Sequence, residues 1–139
     1  MHSISLLCLL PVVAAYIRPP PCGVSYEEGE AYKAYAERVK YGLIASCNLF
    51  REAEKALWSG YSPDLENGIK YWVTKSTEYK GSPKFVTVLK QVMAEMPTSL
   101  DGRVKTYGCA YSLEYGANGK NTFHVGCLFS RRTYYYGRM

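Results

Sequence analysis

Cysteine is the residue type in this chain whose number and spacing most directly suggest a chemistry. Of the five cysteines, one lies in an apolar N-terminal run and four follow it: Cys22, Cys47, Cys109 and Cys127. No Cys-x-x-Cys pair occurs, and His124 is the only histidine beyond position 2, so we expect neither a zinc site nor another cofactor. An even number of cysteines in an exported chain indicates two disulfide bonds, and the spacing leaves all three pairings open.

Export is predicted by the first fifteen residues. An apolar run from Ile4 to Val13 ends in Val13-Ala14-Ala15, the small-residue pattern that signal peptidase accepts. The run is roughly half of the ~20 residues needed to cross a bilayer. We therefore expect residues 1–15 to be a signal peptide and residues 16–139 to be a single secreted domain that begins at Tyr16, with no membrane contact.

The charge balance and the tyrosines suggest partners only in broad terms. Seventeen basic and twelve acidic side chains give a net charge of +5, and all of them follow the predicted cleavage point. Such a bias favours phosphates or anionic surfaces, although a solvated surface of mixed sign is the more common explanation of this balance. Fourteen tyrosines suit partner interfaces, base stacking and half-buried strand positions. The basic, tyrosine-rich tail, residues 130–139, is a candidate contact segment or a frayed terminus.

One helical region must carry Cys47. From Ser25 to about Trp58 the chain has no proline, and Ser25 precedes Glu28 by the three residues of a capping box. Apolar side chains recur at spacings of three and four, which predicts a stripe that faces a sheet. Gly42 is a possible division of this region into two helices.

The second half of the chain predicts a twisted antiparallel sheet. Strands are expected over Ile69 to Thr74, Phe85 to Met93, Val104 to Tyr115 and Thr122 to Phe129. Asp101-Gly102 and Asn118-Gly119 are dipeptides that tolerate the positive φ of hairpin turns, and they predict a meander. Alternation along the third strand places Cys109 on the face that looks toward the helix. The expected fold class is therefore α+β, with one main helical region packed on the sheet and braced by disulfides.

Several motifs together resemble the small guanyl-preferring fungal ribonucleases. The segment from Asp101-Gly102-Arg103 through Tyr107-Gly108-Cys109 and Gly116-Ala117-Asn118-Gly119 to Phe123 and Cys127 is similar to that family's final hairpin. Upstream, Tyr61-Ser62-Pro63, Lys70-Tyr71-Trp72 and Tyr79-Lys80-Gly81-Ser82-Pro83 follow the order of the family's turn, central strand and glycine-proline loop.

Within this fold, the chain most resembles the secreted ribonuclease-like effectors of powdery mildew fungi. Those proteins have a signal peptide and an aromatic mature N-terminus with a cysteine close behind, here Tyr16 and Cys22, although residues 17–21 lengthen the usual spacing. The resemblance implies a disulfide between the chain ends, Cys22–Cys127. Together with the inward face of Cys109, it leaves Cys47–Cys109 as the second bond.

The chemistry of these ribonucleases needs a base, an acid and a cation beside the phosphate. At the matching positions this chain has Tyr71 where the family has its glutamate base, Glu114 where it has its acid histidine, and Asp64 in place of a further histidine. His124 follows Phe123 and should point to the opposite face of the sheet. We therefore expect no enzymatic activity.

The resemblance leaves a site that could bind without cutting. Tyr61, Tyr71 and Phe123 are candidates to stack on bases, and the candidate phosphate or partner contacts are Lys84, Glu114, Lys120, Arg131 and Arg132. The function expected from the resemblance is that of a secreted, non-catalytic virulence effector, monomeric, that is translocated into the plant cell or acts at its surface. Its expected partners are host proteins, including an immune receptor, and RNA. The alternatives are an active secreted ribonuclease and an unrelated small secreted binding module.

Overall fold

The protein, described by a computed structural model over residues 21–133, combines three helices with one four-stranded sheet in that range. The helices are α1 (Tyr26–Val39), α2 (Cys47–Ser59) and α3 (Phe85–Ala94). The strands are β1 (Ile44–Ala45), β2 (Lys70–Tyr79), β3 (Thr106–Tyr115) and β4 (Asn121–Ser130). The α+β class predicted from the sequence is confirmed. The predicted signal peptide, the Tyr16 terminus and tail residues 134–139 lie outside the described residues.

The helical region begins and divides where the sequence predicted. The Ser25 hydroxyl accepts a hydrogen bond from the Glu28 amide and caps α1. The chain turns at Gly42, whose φ of +90° favours glycine. After β1, the Ser46 hydroxyl accepts from the Leu49 amide and caps α2. The predicted helical region therefore consists of two separate helices, and its apolar side chains do not form one continuous stripe.

The sheet has the strand order β1-β3-β4-β2. The β3–β4 hairpin predicted from Asn118-Gly119 is confirmed, and Asn118 adopts a left-handed φ of 59° in its turn. Strand β2 pairs antiparallel with β4, whereas the two-residue β1 runs parallel to β3. The last strand of the chain is thus central in the sheet.

The strand predicted over Phe85 to Met93 is wrong, because this segment forms α3. Val88, Leu89, Val92 and Met93 are buried and recur with the spacing of one helix face. A short apolar run that is rich in valine fits a strand and a buried helix equally well from its composition. Consequently Asp101-Gly102 connects α3 to β3 and is not a hairpin turn.

Helices cover both faces of the sheet. On one face, α1 and α3 pack over the strand residues that include Cys109, Phe123 and Cys127. On the other face, α2 packs through Leu49 and Ala53 against Ala110 and Leu128. The prediction of one helical region on the sheet is corrected to three layers, with the sheet in the middle.

The predicted disulfide pairing, Cys22–Cys127 and Cys47–Cys109, is also wrong. The bonds join Cys22 to Cys47 and Cys109 to Cys127. Cys109 does face inward, but the hairpin register places Cys127 directly across from it, with 4.0 Å between their Cα atoms, while Cys47 at the start of α2 is bonded to Cys22. Among the described cysteines, no disulfide therefore joins Cys22 near one end of the chain to Cys127 near the other.

None of the helices within residues 21–133 has the length and apolar character of a membrane span.

Candidate functional site

Within residues 21–133, the β3 edge of the sheet has a strand partner over only part of its length. Strand β1 pairs with β3 only at Thr106 and Tyr107, so residues 108–115 of β3 are paired with β4 alone. The Tyr107 carbonyl points away from β4, because it accepts a hydrogen bond from the Ser46 amide. Since backbone groups of alternate residues point to the same edge of a strand, those of Tyr111, Leu113 and Tyr115 face this open edge as well.

A cleft of about 870 Å³ follows this edge. Glu28 of α1 forms part of one wall, Glu54 and Trp58 of α2 form part of the other, and β3 from Cys109 to Tyr115 forms the floor. Both helices are anchored in the core: α1 packs on one face of the sheet and α2 mainly on the other, while Phe50 of α2 contacts Tyr32 of α1. The two walls of the cleft are therefore held in place by the packing of the fold.

Negative charge predominates in the cleft. Its lining includes the carboxylates of Glu28, Glu54 and Glu114 and one guanidinium, that of Arg51. This is opposite in sign to the net charge of +5 of the whole chain. The cleft is thus an acidic site on a basic protein.

Tyr111 connects the floor of the cleft to α1. Its hydroxyl donates a hydrogen bond of 3.0 Å to Glu28 Oε1. Burial, and then the neighbouring Glu28 carboxylate, raise the pKa of Tyr111 to about 12. The hydroxyl consequently stays protonated at neutral pH, and this hydrogen bond fixes the Glu28 side chain at the wall.

Two aromatic side chains at the cleft are largely exposed. The side chains of Trp58 and Tyr115 are 67% and 73% exposed. The Trp58 indole Nε1–H donates a hydrogen bond of 3.1 Å to the Tyr111 carbonyl oxygen, which is one of the open-edge acceptors of β3. Exposed aromatic groups that combine an apolar body with a polar tip are typical of binding surfaces.

A row of polar side chains crosses three strands at the end of the cleft. Ser76 Oγ lies 2.6 Å from His124 Nδ1, and His124 Nε2 lies 3.1 Å from Glu114 Oε1. His124 lies on the sheet face opposite Phe123, as predicted from its position directly after Phe123. The contact of Glu114 with the same imidazole was not predicted. Counting back and forward from Asn118-Gly119 would have placed Glu114 diagonally across from His124.

The structure separates the aromatic residues predicted to stack on bases. Phe123 is fully buried between the sheet and the helices, so its predicted role in base stacking is wrong. Tyr71 packs against the same core, and its hydroxyl donates to Asp101 Oδ2 at 2.6 Å. Tyr61 is 46% exposed in the segment after α2. Glu114 lies on the opposite sheet face from Tyr71 and Phe123.

The predicted phosphate contacts are similarly dispersed. Lys120 precedes β4 and Arg131 follows it, so a ten-residue strand, roughly 30 Å long, separates them. Arg132 lies 3.4 Å from Glu66 in an ion pair, and Lys84 is the cap residue before α3. These four cations do not form one patch with Glu114.

Comparison with known proteins establishes the fold and nothing finer. No family model matches the chain, and no curated protein matches it. Among solved structures, manganese-bound Ac-ASP-7 is similar in fold, with a TM-score of 0.50 and 17% sequence identity over 77% of this chain. The match spans 66% of that protein, slightly less than two thirds of its length. Manganese belongs to the description of that protein, and residues 21–133 contain no group of three or more His, Cys, Asp or Glu side chains able to hold a metal ion.

Proposed function

We propose that this chain is a secreted, non-catalytic binding protein whose cleft along the open edge of β3 contacts a partner protein. The observation that carries the proposal is the exposure of Trp58 and Tyr115 at that cleft. Neither side chain is part of the buried core. Burying a tyrosine or tryptophan at an interface contributes strongly to affinity.

The build of the cleft supports contact with a protein. Its walls belong to α1 and α2, and both helices are anchored in the buried core. Because the walls are already ordered in the free protein, binding restricts few further backbone motions, and this lowers the entropic cost of association. A partner in a host plant cell is the part of the proposal that rests only on the resemblance of the sequence motifs to mildew effectors.

The experiment compares partner capture by matched surface variants. The mature protein, immobilised with its disulfides intact, is incubated with plant extract, and bound proteins are identified by mass spectrometry. We expect Trp58→Ala and Tyr115→Ala to lose proteins that the parent retains. Tyr41→Ala is the control, because Tyr41 is 84% exposed and lies outside the cleft. Equal capture by all four proteins would contradict the proposed site.

The row of Ser76, His124 and Glu114 is the observation that favours catalysis as a second candidate, since a carboxylate beside an imidazole is an acid–base pair. Ser76 and Glu114 are exposed, however, and activated catalytic groups are usually held in partly desolvated sites. We expect the protein to leave single-stranded RNA uncut. If the parent cuts RNA and Glu114→Gln does not, the non-catalytic proposal is wrong and Glu114 is the base.

A further inference from the structure

We propose that the open edge of β3, from Tyr111 to Tyr115, binds an extended segment of the partner as an added strand, with a lysine or arginine of that segment directed at Glu54 and Glu28. This inference rests on the proposed function and specifies the chemistry of the partner. It commits to one occupant, an extended peptide with a basic side chain.

The backbone of β3 provides the first argument. Strand β1 ends its pairing at Tyr107, and the next strand on that side is absent among the described residues, which leaves alternate amide and carbonyl groups facing the cleft. An open edge of this kind pairs readily with another chain. Its accessible part begins at Tyr111, because Cys109 is 2% exposed, whereas Tyr111 and Leu113 are half-buried and Tyr115 is exposed.

The walls restrict what can enter. Because α1 and α2 stand on either side of the edge, a single extended segment fits between them more readily than the edge of a second sheet. The end of α2 reaches the strand itself, as the hydrogen bond from Trp58 to the Tyr111 carbonyl shows. The geometry thus favours one strand of about five residues, which spans roughly 15 Å.

Charge complementarity supplies the second argument. Among the described residues of the lining, the carboxylates of Glu28, Glu54 and Glu114 outnumber the one guanidinium, that of Arg51, and this local charge is opposite in sign to that of the chain as a whole. A basic side chain gains charge-assisted hydrogen bonds to these carboxylates. The phosphate backbone of a nucleic acid would be repelled by the same groups.

Trp58 occupies one position of the proposed strand. Its indole N–H donates to the Tyr111 carbonyl at 3.1 Å, which is the bond that a backbone N–H of an added strand would make. The indole therefore satisfies the edge when the cleft is empty and must move aside, or cover the bound segment, when it is filled. Either movement changes the environment of a side chain that is 67% exposed, so tryptophan fluorescence reports it.

The probe is a display library of random decapeptides, selected on the immobilised mature protein. We expect the selected peptides to alternate β-branched or aromatic residues with lysine or arginine. Methylating the backbone nitrogens that face β3 should weaken binding about tenfold or more, since each lost N–H leaves an edge acceptor unpaired. Methylating the intervening nitrogens should have little effect.

Two readouts on the protein side separate strand addition from nonspecific adhesion. With peptide bound, hydrogen exchange at the amides of Leu113 and Tyr115 should slow, whereas the amides of Ser112 and Glu114, which face β4, should be unchanged. The double variant Glu28→Gln/Glu54→Gln should bind basic peptides about tenfold more weakly. Glu37→Gln is the charge-matched control, because Glu37 is on α1 outside the cleft.

The possible failures are distinguishable. Selection of peptides without basic residues, or equal binding by the double variant and Glu37→Gln, would overturn the charge preference. Two results would overturn the proposal that a partner segment adds as a strand. One is peptide binding that does not change when the backbone nitrogens facing β3 are methylated. The other is slowed hydrogen exchange at Leu113 and Tyr115 that is caused by a second copy of the protein and not by a peptide. Both results are compatible with a host protein whose capture depends on Trp58 and Tyr115, so they leave the proposed function standing. Loss of that dependence refutes the proposed function itself.

Discussion

Gly108 is the position where the packing of α2 on the sheet can be tested most directly. A Cβ atom at Gly108 would lie within 3.0 Å of Phe50 N, Leu49 C and Leu49 Cβ. Two of these are backbone atoms inside α2, so no side-chain rotation relieves the overlap. The helix start is in turn held by the Cys22–Cys47 disulfide. Gly108→Ala therefore requires α2 to shift as a body.

The expected cost of Gly108→Ala is about 3 kcal/mol, at the upper end of measured overpacking penalties, because backbone has to move. For a domain of this size, 1 kcal/mol corresponds to roughly 4 °C in Tm, so the variant should melt roughly 12 °C below the parent. Thermal and urea unfolding, followed by circular dichroism with both disulfides intact, provide the measurement. Such a loss is a large part of the 5–15 kcal/mol that typically stabilises a domain, roughly speaking.

Gly102→Ala is the matched control for Gly108→Ala. A Cβ atom at Gly102 meets nothing within 4 Å, and its φ lies outside the left-handed region. This substitution should leave Tm unchanged or raise it slightly, since alanine restricts the unfolded chain. A Gly108→Ala protein with the same Tm as Gly102→Ala would refute the close contact between α2 and β3, and with it the wall of the cleft that α2 provides.

Two further predictions concern the cross-links and the response to acid. Peptide mapping without reduction should recover Cys22 joined to Cys47, and recovery of Cys22 with any other cysteine would contradict this pairing. The double variant with alanine at both positions should lose about 3.5 kcal/mol of unfolding free energy, the chain-entropy value for this loop. The pKa of Asp101 lies well below its ordinary value of 3.8, chiefly because Arg103 donates hydrogen bonds to the carboxylate. The ionised carboxylate therefore stabilises the folded protein above pH 3.8, and this stabilisation is lost as the pH falls through the lower pKa of the folded state. Asp101→Asn should thus be less stable than the parent at neutral pH, and the difference should shrink in strong acid; a gap in unfolding free energy that is constant with pH argues against an ionised Asp101.

The local signals in the sequence were sufficient for several elements. Ser25 begins α1 because its hydroxyl satisfies an amide that no other group reaches. Gly42 turns the chain after α1 has ended at Val39, and Asn118 turns the hairpin, because both residues adopt a positive φ. Each of these features depends on residues close in the chain, and sequence patterns describe such features well.

The failures concern contacts between distant segments. The run from Phe85 to Met93 is apolar enough for either element type, and its packing against the sheet, which decides the outcome, is not encoded in its own composition. The cysteine pairing was missed although the signal existed, because a hairpin centred on Asn118 places Cys109 opposite Cys127. The face assignment of Cys109 was correct, but it could not show that α2 covers the other face.

The candidate site was the least accessible feature. Trp58 and Glu54 lie on α2, Glu28 lies on α1 and Tyr115 ends β3, and none of them forms a motif along the chain. They meet because β1 is only two residues long and leaves most of β3 without a second neighbour. Strand β1 is short because it lies in the brief connection between α1 and α2. That this leaves β3, much later in the chain, with an open edge cannot be deduced from either segment alone.

The central position of β4 governs how this chain must acquire its structure as it is synthesised. Strand β2 has β4 as its partner, and β3 has β1 over only two residues before β4 arrives. The sheet therefore cannot close until the final strand has left the ribosome, whereas α1, α2 and both members of the Cys22–Cys47 pair emerge in the first half. This order makes the helical half and its cross-link the early-forming part and the hairpin with its own cross-link the final step. A chain truncated before residue 121 would lack the strand that pairs with β2, and an unpaired strand of this kind is prone to associate with other chains.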